Sequence, residues 1–412
     1  MLSWLSRDGR FLLVTRGLRT FAYGFLGVVL ALYLEALGLE PVGIGIVITL
    51  AIAGSAAMTI LWSLLADRVG RRRTVSVMAF LMAAGGLLFA FASDPLLLAL
   101  GALTGTISAT NSEVGAFITV EQAILPQTAP DERRTFLFAL YNAVGNLCGA
   151  VGSLAAALVP AFVALGLHGA DAYRPLFVLY AFVGVLNLAL FSRLSDRVEL
   201  AKVEGARRFS GVGPSARRIA GLSALFGLDA FAGGFVSASI VSYWFHLRWG
   251  LGAEQLGPFF FAANVLSGLS LFAASWIARR IGLLNTMVFT HLPSNVLLAL
   301  VPLMPTAATA VLLYLARISI SQMDVPTRQS YTMAVVTPPE RTAAAGITNV
   351  GRSVATALSP TLAGYALATA ALGVPFFVGG GLKVVYDLTI FAAFRRVRPP
   401  EEARQRAASA RT

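Results

Sequence analysis

The chain has 412 residues, of which 57% are hydrophobic and only 13% charged, with a mean hydropathy of +0.75 and a net charge of +12. Soluble domains carry about 25% charged residues, so this composition excludes an ordinary soluble enzyme and places the chain among polytopic membrane proteins. The basic balance does not point to nucleic acid, because the arginines sit in short connections and at the tail, and no basic, aromatic-lined groove pattern is present.

Twelve apolar segments follow one another, at about 11–36, 43–66, 74–93, 95–122, 135–163, 174–195, 218–246, 253–279, 284–303, 306–330, 341–370 and 374–395. A bilayer crossing takes roughly 20 residues at 1.5 Å rise, so each is read as a transmembrane helix in an all-α membrane protein. The first is too long for a signal-peptide core and is kept as a helix. The loops between them are short and leave no room for a soluble catalytic domain, so no enzyme is expected. The single cysteine, Cys148, excludes an internal disulfide and a cysteine metal site. No metal or cofactor is expected.

Basic residues segregate. Arg7, Arg10, Arg16, Arg19, Arg68, Arg71, Arg72, Arg73, Arg133, Arg134, Arg279, Arg280, Arg328 and Arg341 fall at the N-terminus or in connections on one side, as do the 196–217 stretch and the tail; the other side has Arg174 and Arg248. By the positive-inside rule both termini are cytoplasmic. Arginine far outnumbers lysine, which with the alanine and glycine richness suggests a bacterial inner-membrane protein. The partners expected are the lipid bilayer, protons and a small-molecule substrate, with the chain acting as a monomer.

The polar stretch 196–217 divides the spans six and six. The expected domains are therefore an N-terminal bundle, 1–195, a cytoplasmic linker, 196–217, a C-terminal bundle, 218–398, and a tail, 399–412. An internal repeat supports the division: Glu121-Gln122 and Arg328-Gln329 recur about half a chain apart, as do Asn142 and Asn349. Parallel six-helix repeats of this kind occur in secondary transporters. Thr337-Pro338-Pro339-Glu340 has capping-box spacing.

Ionisable residues inside a span are costly and are functional candidates by default. Asp229, Glu113 and Asp324 are proton-coupling candidates, since a carboxylate in a poorly hydrated cavity can bind and release a proton near neutral pH. Arg317 and Arg352 are candidates for an anionic substrate, because a guanidinium fork matches a carboxylate or phosphate. Asn111, near Glu113, and Tyr23 are further substrate-binding candidates. Arg317 and Asp324, seven residues apart, share a helical face and pair as an alternative; Lys383 and Asp387 have pairing spacing, and His291 shares a face with Asn295.

The connection between the second and third spans, Leu64 to Thr74, reads LLADRVGRRRT. Its Asp-Arg-x-Gly-Arg-Arg-Arg order, in this position, resembles the signature loop of the major facilitator superfamily. The resemblance covers nearly the whole chain. It implies a twelve-helix secondary transporter in two halves, working by alternating access, with a cavity between spans 1, 4, 7 and 10 that Tyr23, Glu113, Asp229, Arg317 and Asp324 would line. It implies a conformational latch at Asp67, Arg68, Gly70 and Arg71, with Glu121 as a neighbouring acidic partner. Departures from the pattern are Ser63 in place of the loop's leading glycine, no arginine in span 4, and no Gly-Pro step beside Gly145, Gly149 and Gly152 in span 5. The expected activity is proton-coupled export of a small organic or amphipathic solute; the alternative is uptake or exchange of an organic anion.

Overall fold

A computed structural model describes residues 4–110, 115–130, 133–199, 213, 215–337, 340–369 and 371–397. Sixteen α-helices are found among them: α1 (Arg7–Ala36), α2 (Pro41–Val69), α3 (Arg71–Phe91), α4 (Pro95–Leu103), α5 (Ala116–Ile124), α6 (Arg134–Ala155), α7 (Val159–Ala164), α8 (Arg174–Phe191), α9 (Ala216–Gly234), α10 (Ala238–Trp249), α11 (Ala253–Ile281), α12 (Leu283–Leu300), α13 (Ala307–Ser321), α14 (Asp324–Val335), α15 (Arg341–Ala368) and α16 (Val374–Phe394). The chain is an all-α membrane protein. Among the described residues, nine helical segments are long and apolar enough to cross a bilayer. The three other expected spans fall on α4 with α5, on α13 with α14, and on α15, which carries Thr348, Asn349, Arg352 and Thr356. Large apolar side chains such as Phe80, Phe91, Phe182 and Leu312 are exposed, as lipid-facing positions must be.

The broken spans have local causes. Pro326 lacks an N–H, and its ring would clash with the carbonyl of Gln322 in a continuous helix; the break falls at Gln322 and Met323. The Gly233-Gly234 pair precedes the break between α9 and α10. Non-helical backbone at membrane depth is tolerated only where protein buries it or a cavity lies beside it.

The turns after α2 and α11 repeat one another. Gly70 has φ 106 and ψ 132, and Gly282 has φ 90 and ψ 165. L residues rarely adopt such conformations, so a glycine at each is a backbone requirement, and the charged loop and its faded counterpart share a geometry.

Contacts gather the chain into two compact units, the first from Met1–Glu204, Ser237–Val265 and Pro360–Ala370, the second from Gly205–Val236, Leu266–Ser359 and Ala371–Thr412. The units follow contact rather than the half repeat: α10, the start of α11 and the end of α15 belong to the first. In that unit α1 packs tightly on α6, where a Cβ on Gly152 would lie 2.0 Å from the Phe21 carbonyl oxygen. Ser239 and Ser242 of α10 donate through Oγ to the carbonyls of Gly27 and Val28, at 3.0 and 2.6 Å. Thr49 of α2 meets Thr361 of α15 at 2.8 Å, and Glu35 of α1 receives Tyr243 at 3.3 Å and faces His246 Nε2 at 3.1 Å. The core of the first unit runs through Leu12, Val75, Ile124, Tyr141 and Phe191. In the second unit Leu222, Met287, Tyr331, Tyr386 and Ile390 form the core.

Candidate transport site

The second unit holds a buried cluster of charge. Asp229 on α9 receives Lys383 Nζ of α16 at 2.5 Å, Arg352 Nη1 of α15 at 3.0 Å and Arg328 Nη1 of α14 at 3.1 Å. Arg328 also donates to Asp324, at 2.9 Å. His291 of α12 turns Nδ1 to Asp387 of α16 at 2.9 Å and Nε2 toward Asp229 at 3.9 Å. Asn295, one turn further along α12, donates to the other oxygen of Asp387 at 2.8 Å. Three carboxylates (Asp229, Asp324, Asp387) therefore face three permanent cations (Arg328, Arg352, Lys383) around one imidazole, and with His291 neutral the cluster sums to zero. Desolvating so many charges is tolerable only when they compensate one another. Five helices contribute, so the cluster also fixes their packing.

This geometry corrects two sequence expectations. Lys383 pairs with Asp229 and not with Asp387 on its own helix. Asp324 pairs with Arg328 and not with Arg317, because the break at Gln322 and Met323 separates the faces that a continuous helix would align. Asp229, a proton-coupling candidate, has three basic side chains within 3.1 Å. Arg317 is buried on α13 with its guanidinium 5.4 Å from the Tyr314 ring centre, and its Nε has no hydrogen-bond partner. Among the described residues it has no carboxylate partner. Arg352 is the most open member of the cluster, its side chain 27% exposed while Asp229 is 3% exposed.

The first unit has a smaller counterpart of opposite polarity. Arg19 of α1 and Glu121 of α5, both fully buried, meet at 2.6 Å. Thr15 and the Tyr141 hydroxyl donate to the same carboxylate at 3.2 and 2.5 Å. The Arg19 guanidinium stacks 4.3 Å over Phe117, and Arg16 lies 4.6 Å over Tyr141. Glu121 and Arg328 occupy matching positions of the repeat, with the charge reversed. Sequence reasoning placed Arg16 and Arg19 among cytoplasmic topogenic charges and Glu121 in the latch. The structure instead seals Arg19 and Glu121 inside the helix bundle, 12 and more residues from the start of α1 in the case of Arg19. The i,i+3 spacing of two arginines within an apolar run was the available signal. Tyr23 is buried beside Tyr180, ring centres 6.2 Å apart. Glu113 and Asn111 lie outside the described residues.

At the Gly70 turn Asp67 accepts Arg71 Nε at 2.9 Å, and Arg71 donates to the Ala123 carbonyl at 3.0 Å. Arg68 is exposed. The free backbone N–H groups of Arg71 and Arg72 are taken by Glu199, at 2.7 and 3.1 Å, an anion at a helix N-terminus. The second unit ties its own linker end similarly. Glu340 accepts from the N–H of Gly213 at 2.7 Å and of Ser215 at 3.2 Å, and from the Thr337 hydroxyl. Hydrogen bonding from Ser215 first, and then Thr337, holds its carboxyl well below the usual range, at about 2.

Apolar helical bundles that compensate their buried charge internally are those of a polytopic membrane protein. The chain belongs to the Major Facilitator Superfamily, whose sequence profile matches residues 12–324. It is 26% identical over 422 aligned positions to a membrane protein of Saccharomyces cerevisiae described as uncharacterized, with 94% of each chain covered. Its fold is similar to that of the nucleoside transporter NupG (TM-score 0.72, 12% identity, 94% of this chain and 99% of that one). It is also similar to a bacterial homolog of the human lysosomal transporter Spinster in an inward-facing, occupied conformation (0.70, 15%, 94% and 95%). A third similar structure is a POT family transporter in complex with 5-aminolevulinic acid (0.72, 15%, 94% and 96%). These likenesses establish the fold, and the family is one of multi-pass membrane transporters.

Proposed function

We propose that this chain is a proton-coupled secondary transporter of a small organic solute, working by alternating access in a bacterial inner membrane with both termini cytoplasmic. The observation that carries the reading is the buried cluster around Asp229, where titratable and charged groups from five helices meet at one site. The Asp67–Gly70–Arg71 turn, with Arg68, serves as the conformational latch. Between export of an amphipathic solute and transport of an organic anion, the cluster favours the anion. Asp229 receives three cations where one would neutralise it, and Arg352 is the one most open to a solute.

The test is reconstitution. Purified protein is screened for solutes that raise its unfolding temperature, since a ligand that binds only the folded state stabilises it. Each such solute is then added to liposomes containing a trapped pH dye. Solute-driven proton movement is expected. Transport that proceeds at the same rate with and without a pH gradient would reject proton coupling.

A further inference from the structure

Resting on that reading, we propose that the His291–Asp387 pair is the proton site of the carrier and that Arg352 receives the anionic group of the solute, so that one proton and one negative charge occupy the cluster together. Asp387 is fully buried, and its two oxygens are held by the His291 ring and the Asn295 amide. Among the described residues it is the one carboxylate of the cluster with no arginine or lysine at ion-pair distance. The groups facing the pair are Asp229 from α9, Asn295 from α12, Asp324 and Arg328 from α14, Arg352 from α15, and Lys383 and Tyr386 on α16 itself.

The imidazole is positioned to take the proton. With Nδ1–H donating to Asp387, Nε2 presents a lone pair to Asp229 at 3.9 Å, an unfavourable approach that a proton reverses. A proton arriving from water bonds to Nε2, and the imidazolium then lies between two carboxylates. Nothing else changes covalently. The pair passes from one negative charge to none, and the cluster from zero to one positive charge. A net charge at this depth is costly, so the protonated cluster calls for an anion, and Arg352 at its open edge is where one arrives. A carboxylate that takes over Arg352 from Asp229 restores neutrality. Asp229, touching both Arg352 and His291, transmits each event to the other site.

Two sites coupled through a shared carboxylate must affect each other reciprocally. The chain has three histidines, His168, His246 and His291, so nitrogen-15 histidine NMR of the intact protein resolves each ring, with His291→Gln assigning the signal. Sodium sulfate at constant ionic strength is the anion probe. We expect sulfate to raise the proton affinity of the His291 ring about fivefold or more. Arg352→Gln should abolish the sulfate effect. Asp387→Asn should lower the proton affinity about tenfold or more, one pH unit in the midpoint. The wild-type sulfate titration needs no variant, so a misfolded mutant does not shield the proposal. A ring that stays neutral throughout, or a sulfate effect that survives Arg352→Gln, overturns it. The liposome assay separates the two readings. Solute-driven proton flux that persists in His291→Gln overturns this assignment and leaves proton coupling standing, whereas its absence from the wild type overturns both.

Discussion

Glu121 offers a quantitative check on the smaller cluster. Replacing it with glutamine keeps the size and an acceptor for the Tyr141 hydroxyl, but leaves Arg19 as a fully buried cation without its carboxylate. Breaking a buried pair by removing one partner costs about 3–5 kcal/mol, because the surviving charge is stranded. Losing the hydrogen bonds from Thr15 and Tyr141 as well, as Glu121→Ala does, adds at most about 1–3 kcal/mol for each group left unsatisfied. For a cooperative unit of roughly 200 residues, about 2 °C per kcal/mol is the low end of the expected range. Thermal unfolding of the purified protein in detergent should therefore occur at least about 6 °C earlier in Glu121→Gln. Replacing both partners, Arg19→Leu with Glu121→Leu, should recover most of that loss, since a hydrophobic pair of similar volume is commonly neutral. If Glu121→Gln unfolds within about 1 kcal/mol of the wild type, the pair is hydrated and the assignment of a sealed ion pair is wrong.

Further consequences are open to measurement. Gly70→Ala places a side chain at φ 106, and the strain, of order 1–2 kcal/mol, together with a Cβ 3.2 Å from the Glu199 carboxylate, should destabilise the turn; Gly282→Ala, at φ 90, should do the same, and chemical denaturation of each variant tests both. Glu340 has a depressed folded-state value near 2 against 4.5 unperturbed. The stability it confers is present above about pH 4.5 and lost as pH falls toward 2. Glu340→Gln should therefore flatten the acid limb of a stability–pH profile and lower stability at neutral pH; an unchanged profile refutes the contact. Glu35→Gln weakens the meeting of α1 with Tyr243 and His246, and alkylation of cysteines placed near the end of α1 should speed up in that variant.

The architecture was readable because membrane topology is written in composition. Arginines crowd one side, apolar runs have bilayer length, and the glycine of the 64–74 loop announces a backbone turn that Gly70 and Gly282 both make. The charged clusters were legible as residues and not as partnerships. Sequence spacing pairs residues along one helix, as for Lys383 with Asp387 or Arg317 with Asp324, but the structure resolves charge between helices. Lys383 reaches Asp229, 154 positions away. The break before α14 also shifts the face on which Asp324 sits, and Pro326 was its warning. Arg19 was misplaced because an arginine near the beginning of an apolar run looks the same whether it flanks the membrane or is sealed within it. Only Glu121, a hundred residues on, distinguishes the cases.

Every member of the Asp229 cluster belongs to a single compact unit. Its ion pairs are therefore internal to that unit. The first unit is tied differently: where α10 and the end of α15 meet α1 and α2, the contacts are largely two serine hydroxyls on main-chain carbonyls and one threonine pair. Such bonds are readily replaced by water. A set of charges compensated wholly within one unit locks five helices to one another.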